Sequence, residues 1–143
     1  MAAVFSRFPV EYNRYNKVSG MQESEVYAAI GDDGFRRLIQ AFYRQVPQDD
    51  IIGPMYPPDD LIGAEDRLRG FLIYRFGGPQ TYLENRGHPR LKIRHASFQL
   101  DQRVRDRWIL LMTNAFEEVT LPTEAVAVMK PFFEQVATFL LNR

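Results

Sequence analysis

Two histidines, His88 and His95, and no cysteine are the only strong nitrogen and sulfur ligands in this chain. A zinc or iron–sulfur centre built from side chains needs three or four such ligands, so that chemistry is out of reach. A haem asks for less, because the porphyrin brings four nitrogens and the protein adds one axial imidazole. His95 is the candidate for that imidazole. Lys92 and Arg94 stand just before it, with Arg86 and Arg90 slightly upstream, and a haem lying there would present its two carboxylates to such cations. His88 is a poorer candidate, since it directly precedes Pro89, which turns its backbone away from helical geometry. A lone histidine is a weak motif. By itself, His95 reads as readily as a surface or half-buried residue in a basic turn.

A second constellation is Tyr43, Tyr56 and Trp108, each an apolar ring with one hydrogen-bond donor. Three such donors from three segments could converge on a small polar diatomic ligand; equally, they could be core aromatics whose polar tips reach backbone carbonyls. Ala64 and Leu68 would then be a gap and an apolar wall beside the ligand, or ordinary core residues. The carboxylate pairs Asp59-Asp60 and Glu117-Glu118 sit where helix caps and solvated faces are expected. Gly77-Gly78 lacks the preceding strand that a phosphate-binding loop requires.

Composition narrows the classes. With 18 Lys and Arg against 18 Asp and Glu, no cationic excess is available to displace counterions, so nucleic acid is not the expected partner. No apolar run approaches the ~20 residues of a membrane span. The N-terminus lacks the unbroken apolar core of a secretory signal, which makes a cytoplasmic location the default expectation. At 143 residues the chain closes one hydrophobic core.

The elements that must position these residues follow from periodicity. Residues 1–20 keep no steady period and are expected to form an N-terminal extension, with the folded domain over 21–143. Ser24 is a plausible cap for a short helix to about Ile30, broken by Gly31-Asp-Asp-Gly34. Asp33 could cap the next helix, where Phe35, Leu38, Ile39, Phe42 and Val46 share one buried face. Pro47, Pro54, Pro57 and Pro58 forbid a long helix until Asp59 or Asp60. A helix then carries Leu61, Ala64, Leu68, Phe71 and Leu72 on one side and stops at Gly77-Gly78-Pro79. A short helix over 90–97 bears His95. Asp101 caps a long helix to about Val119, with a wide apolar arc. After Leu121-Pro122-Thr123, the last helix places Val126, Met129, Phe133, Val136 and Leu140 on its buried side. No segment alternates with the period of a strand. The expected class is all-α.

The chain resembles the group II truncated haemoglobins. The resemblance is carried by Phe42-Tyr43, Tyr56-Pro-Pro-Asp-Asp-Leu61, Gly63-Ala-Glu-Asp-Arg-Leu68, Gly77-Gly-Pro-Gln-Thr-Tyr82, Arg86-Gly-His-Pro-Arg-Leu91, Arg94-His-Ala-Ser-Phe98 and Arg107-Trp108, and runs from about residue 24 onward. It implies a two-over-two helical sandwich around haem b (iron protoporphyrin IX), with His95 as the proximal iron ligand. It further implies Tyr43, Tyr56 and Trp108 as distal donors, beside Ala64 and Leu68, and cofactor contacts at Arg67, Arg94, Tyr82, Phe71 and Phe98. The family usually has Pro where Ser97 stands and Gly-Gly where Gly31-Asp-Asp-Gly34 runs; both departures concern local turns.

The function so implied is reversible binding of O2 and of other small ligands such as CO, NO and cyanide, by a monomer or weak homodimer. The alternative is a redox haem enzyme, an NO dioxygenase or peroxidase-like protein, drawing electrons from an external reductase. A helical interaction module without cofactor is the third class.

Overall fold

The structure is a computed structural model that describes residues 20–143. The extension expected over residues 1–20 lies, Gly20 apart, outside them. Among the described residues there are six α-helices and no strand. They are α1 (Val26–Gln45), α2 (Leu61–Arg75), α3 (Thr81–Arg86), α4 (Leu91–His95), α5 (Gln102–Glu118) and α6 (Thr123–Phe139). α1 packs across α2 and α5, and α5 lies on α6. The long helices thus make the two layers of the expected sandwich, each burying its apolar stripe against the other.

The periodic face of α1 is buried as its spacing demands: Phe35, Leu38, Ile39, Phe42 and Val46 have no exposed surface. The break is at Gly31, whose φ of 66° and ψ of −179° interrupt an otherwise continuous helical run. The expected caps are replaced. Ahead of α1, a turn of 3-10 helix over Glu23–Glu25 closes when the Gln22 N–H donates to the Glu25 carboxylate at 2.8 Å. Asp33 sits one turn inside the second half of α1, so its carboxylate reaches forward to Arg36 and, at 2.9 Å, to Arg37.

α2 ends at a tight crossing. Gly77 has a φ of 96°, and a Cβ there would run into the carbonyl of Ser24. The Tyr27 N–H donates to the Phe76 carbonyl at 3.0 Å across this crossing, and Arg75 pairs with Glu23 at 2.8 Å. Phe76 meets Phe35 at 6.0 Å and Phe132 at 4.9 Å between ring centroids, an aromatic bridge between the layers.

The proline-rich connection from α1 to α2 consists of short 3-10 turns over Val46–Gln48, Gly53–Met55 and Pro58–Asp60. Asp49 organises it, accepting the Ile51 and Ile52 N–H groups at 3.0 and 2.7 Å while pairing with Arg107 of α5 at 3.1 Å. α5 begins at the expected cap, Asp101 accepting the Val104 N–H at 3.0 Å.

The face of α6 differs from the expected one. Ala125, Val128, Met129, Phe132 and Phe133 are buried, while Val126, Val136 and Leu140 are half-buried. The helix serves two surroundings at once. Phe132 packs on Phe76 in the core and also reaches a cavity, which Val136 and Leu140 border further along the helix.

Candidate functional site

That cavity, of about 480 Å³, opens between the two layers. Pockets that enclose a cofactor or comparable ligand span roughly 300–1,000 Å³ and are mainly apolar with a few placed polar groups. Here Ala64, Leu68 and Phe71 of α2, Val104 of α5 and Val136 of α6 supply apolar walls. Tyr43, Tyr56, Trp108, His95, Arg67, Arg94, Tyr82 and Phe98 also line it, so the expected iron ligand, distal residues and cofactor contacts meet in one space. His88 is exposed and does not line it.

α4 delivers His95. It begins after buried Pro89 and the left-handed Arg90, φ 48°, and buries Leu91. One turn later the His95 ring returns to its own helix, with Nδ1 2.7 Å from the Leu91 carbonyl oxygen. A carbonyl can only accept, so Nδ1 is the donor, and Nε2 is the ring nitrogen left to ligate. A ring oriented in this way, through its other nitrogen, is what a metal-ligating histidine needs. Among the described residues no three His, Cys, Asp or Glu side chains are grouped to hold a metal ion by themselves. An apolar slot with one ligand-ready imidazole and cations at its edge fits a haem, whose iron arrives with four nitrogens already attached.

The donors form a connected aromatic group. The Tyr43 ring is edge-on to Tyr56 at 5.5 Å and to Phe42 at 5.0 Å, and Phe42 meets Trp108 at 5.1 Å. The buried Tyr43 hydroxyl donates to the Ala64 carbonyl at 3.3 Å. Burial pushes the Tyr43 phenol well above its ordinary range, and the neighbouring Tyr56 adds to the rise. Burial likewise pushes up Tyr56, partly offset by the neighbouring Tyr43 hydroxyl and Trp108 indole. Both phenols therefore stay protonated, as donors must.

The cations divide. Arg67 lines the cavity while paired with Asp60 at 2.6 Å. Arg94 lines it with Arg86, whose carbonyl it approaches at 3.4 Å. Lys92 turns away instead, its Nζ 4.4 Å from the centroid of the Phe139 ring. Sequence reasoning missed Arg105, which reaches the cavity while held by Thr138 Oγ1 at 3.1 Å and the Glu134 carbonyl at 3.3 Å. It also missed Met55 and Leu100, which lie in irregular segments with no periodic signal. Val136 and Leu140 carried a signal, but one that a core face and a cavity wall share.

A family model described as bacterial-like globin matches residues 25–141. The group 2 truncated haemoglobin of Bacillus subtilis is 30% identical over 124 residues, covering 87% of this chain and 93% of the relative. Among solved structures, the haemoglobin of the thermophilic phototroph Chloroflexus aurantiacus superposes with a TM-score of 0.79 at 40% identity, over 82% of this chain and 98% of that one. The truncated oxygen-avid haemoglobin of Bacillus subtilis superposes with a TM-score of 0.78 at 31% identity, again over 82% and 98%.

Proposed function

The chain belongs to the bacterial-like globin family, as a group II truncated haemoglobin carrying haem b, and from that premise we propose that it binds O2 tightly and reversibly, with His95 as the axial ligand and Tyr43, Tyr56 and Trp108 as donors to the bound gas. When bound, haem would be held by His95 and would supply an iron atom able to take up a diatomic ligand. The observation that carries the reading is the His95 ring, which lines the cavity with its Nδ1–H spent on the Leu91 carbonyl, so that Nε2 is the nitrogen available to a metal. The Leu91 carbonyl also raises the basicity of that nitrogen and fixes the ring's rotation.

On the ligand side, the three donors suit a diatomic that takes on negative charge. A hydrogen bond to a charged acceptor contributes roughly 1.5–3 kcal/mol, and every ~1.4 kcal/mol is tenfold in residence. Before the cost of any bond the donor gives up, each donor that turns to the ligand therefore slows its escape on the order of ten- to a hundredfold. Ala64 keeps the space beside Tyr43 small-walled, and Leu68 and Phe71 exclude water. Arg67, Arg86 and Arg94 are the groups placed to meet the haem carboxylates. Slow release favours holding or reacting over rapid transport, and sustained turnover such as NO dioxygenation would draw electrons from an external reductase.

The test is a visible absorption spectrum of protein supplied with haem, taken ferric, ferrous and with CO, beside His95→Ala. The wild type is expected to bind haem and CO, and the variant to lose or change its axial ligation. Unchanged coordination in His95→Ala, or ligation traced to His88, would overturn the assignment.

A further inference from the structure

α4 is a single turn, and a helix that short has no stability of its own in water. Of its five residues only Leu91 is buried, and Ile93 is 69% exposed. Packing along α4 therefore cannot fix His95, and the tethers on either side must. Upstream the tether is buried Pro89. Downstream, the His95 carbonyl accepts the Phe98 N–H at 3.1 Å, and the next link is Asn142, beyond α6. Its side-chain Nδ2–H donates to the Phe98 carbonyl at 3.0 Å, and its Oδ1 accepts the Leu100 N–H at 2.9 Å. Its backbone N–H donates to the Leu100 carbonyl at 2.9 Å.

These partners fix the amide's orientation. A flipped amide would set its NH2 against an N–H and its oxygen against a carbonyl. Lys92, over the Phe139 ring, ties α4 itself to the same C-terminal segment. Phe98 and Leu100 both line the cavity. Asn142 is exposed, so its contribution is these bonds rather than core packing, and it lies outside the stretch matched by the globin family model.

We propose that Asn142 is a positioning residue for His95. By clamping Phe98 and Leu100 it holds the segment after α4, and with it the angle at which the imidazole meets the cavity. The inference rests on His95 being the axial ligand. Without the side chain, one backbone bond to Leu100 remains and the Phe98 carbonyl loses its partner, which loosens the segment that follows the one-turn helix.

Haem-loaded Asn142→Ala and Asn142→Asp test this against the wild type. The alanine variant loses both side-chain bonds. The aspartate keeps the shape and the acceptor for Leu100 but offers the Phe98 carbonyl no donor. The expected result in both is a shifted or broadened iron–imidazole stretching band in the resonance Raman spectrum of the ferrous protein. Haem transfer to excess apomyoglobin should quicken on the order of tenfold in the alanine variant. In the haem-free chain, hydrogen exchange at the Leu100 amide should accelerate. A wild-type band together with wild-type haem transfer overturns the proposal, even where Leu100 exchange has accelerated, because the clamp would then hold the loop without setting the ligand. Failure of the axial-ligand reading shows by a different signal, an unaltered spectrum in His95→Ala, and takes the proposal with it.

Discussion

The Tyr43 hydroxyl donates to the carbonyl of Ala64, 3.3 Å away on the facing helix. This bond is long, and the donor must give it up to serve a ligand in the cavity. Releasing it costs about 0.5–1.5 kcal/mol, against roughly 1.5–3 kcal/mol gained at a charged acceptor. The net effect of Tyr43 is then nearer 1 kcal/mol than 3. Tyr43→Phe should raise the O2 dissociation rate about three- to tenfold. The Trp108 indole N–H lines the same cavity as a second donor, so Trp108→Phe should act in the same direction. Stopped-flow displacement of O2 by CO measures both, and unchanged rates in the pair would remove these residues from the ligand's surroundings.

Alkaline pH probes the same burial from the stability side. Burial raises the Tyr43 phenol in the folded chain above the ~10 of an unfolded tyrosine. Below pH 10 both states hold the proton, and this group leaves stability independent of pH. Above it the unfolded chain releases the proton first, so stability falls as pH rises, by at most about 1.4 kcal/mol per pH unit for this tyrosine. Urea unfolding at pH 9, 10 and 11 should show that decline in the wild type and a shallower one in Tyr43→Phe. Parallel declines would mean that the Tyr43 phenol titrates normally in the fold.

What could be read from the chain alone depended on how directly each feature maps onto a repeat. Phe35, Leu38, Ile39, Phe42 and Val46 were legible because the spacing of a buried helical face is itself a record of burial. Val136 and Leu140 were legible only as apolar, since a stripe facing a cofactor cavity has the same spacing as one facing a core. The cap ahead of α1 was placed at Ser24, yet the bond forms between Gln22 and Glu25, because a cap depends on backbone angles one residue to either side. His95 and Tyr56 carry no periodic signal, and the stripe that Trp108 shares with Val104, Leu111 and Ala115 speaks of burial and not of a ligand. With Tyr43 they became a site through the ordered set of short motifs shared with truncated haemoglobins, and the Asn142 clamp, which lies beyond those motifs, had nothing to mark it.

Two glycines separate backbone strain from steric overlap. Gly31 adopts φ 66° and ψ −179°, with nothing within 4 Å of the place a methyl group would take. Alanine there meets only the backbone penalty, about 1–3 kcal/mol. Gly77, at φ 96°, meets a comparable penalty and in addition a collision with the Ser24 carbonyl, which must open the crossing between α1 and α2. Gly77→Ala should therefore be the more destabilising by at least ~1 kcal/mol. Urea denaturation of the two variants ranks them, and equal losses would show that the crossing yields freely.

The Asp49–Arg107 pair links the loop that carries Tyr56 to the turn of α5 that carries Trp108. Asp49 accepts two loop N–H groups and meets Arg107 at 3.1 Å, while Arg107 also reaches Asp50 at 3.0 Å. Asp49→Ala removes the one carboxylate oxygen that accepts both backbone N–H groups, leaving the Ile51 and Ile52 amides to find water, at a cost on the order of 1–3 kcal/mol. Asp49→Asn keeps an acceptor for those amides and turns an NH2 toward Arg107 in place of a carboxylate oxygen. If the pair registers Tyr56 against Trp108, the asparagine variant should lose less stability than the alanine variant, since its amide oxygen still serves both N–H groups, yet release O2 measurably faster. The alanine variant should lose on both counts. Faster release that tracks stability alone across the two variants would mean that the loop's folding, and not its registration against α5, sets the donors.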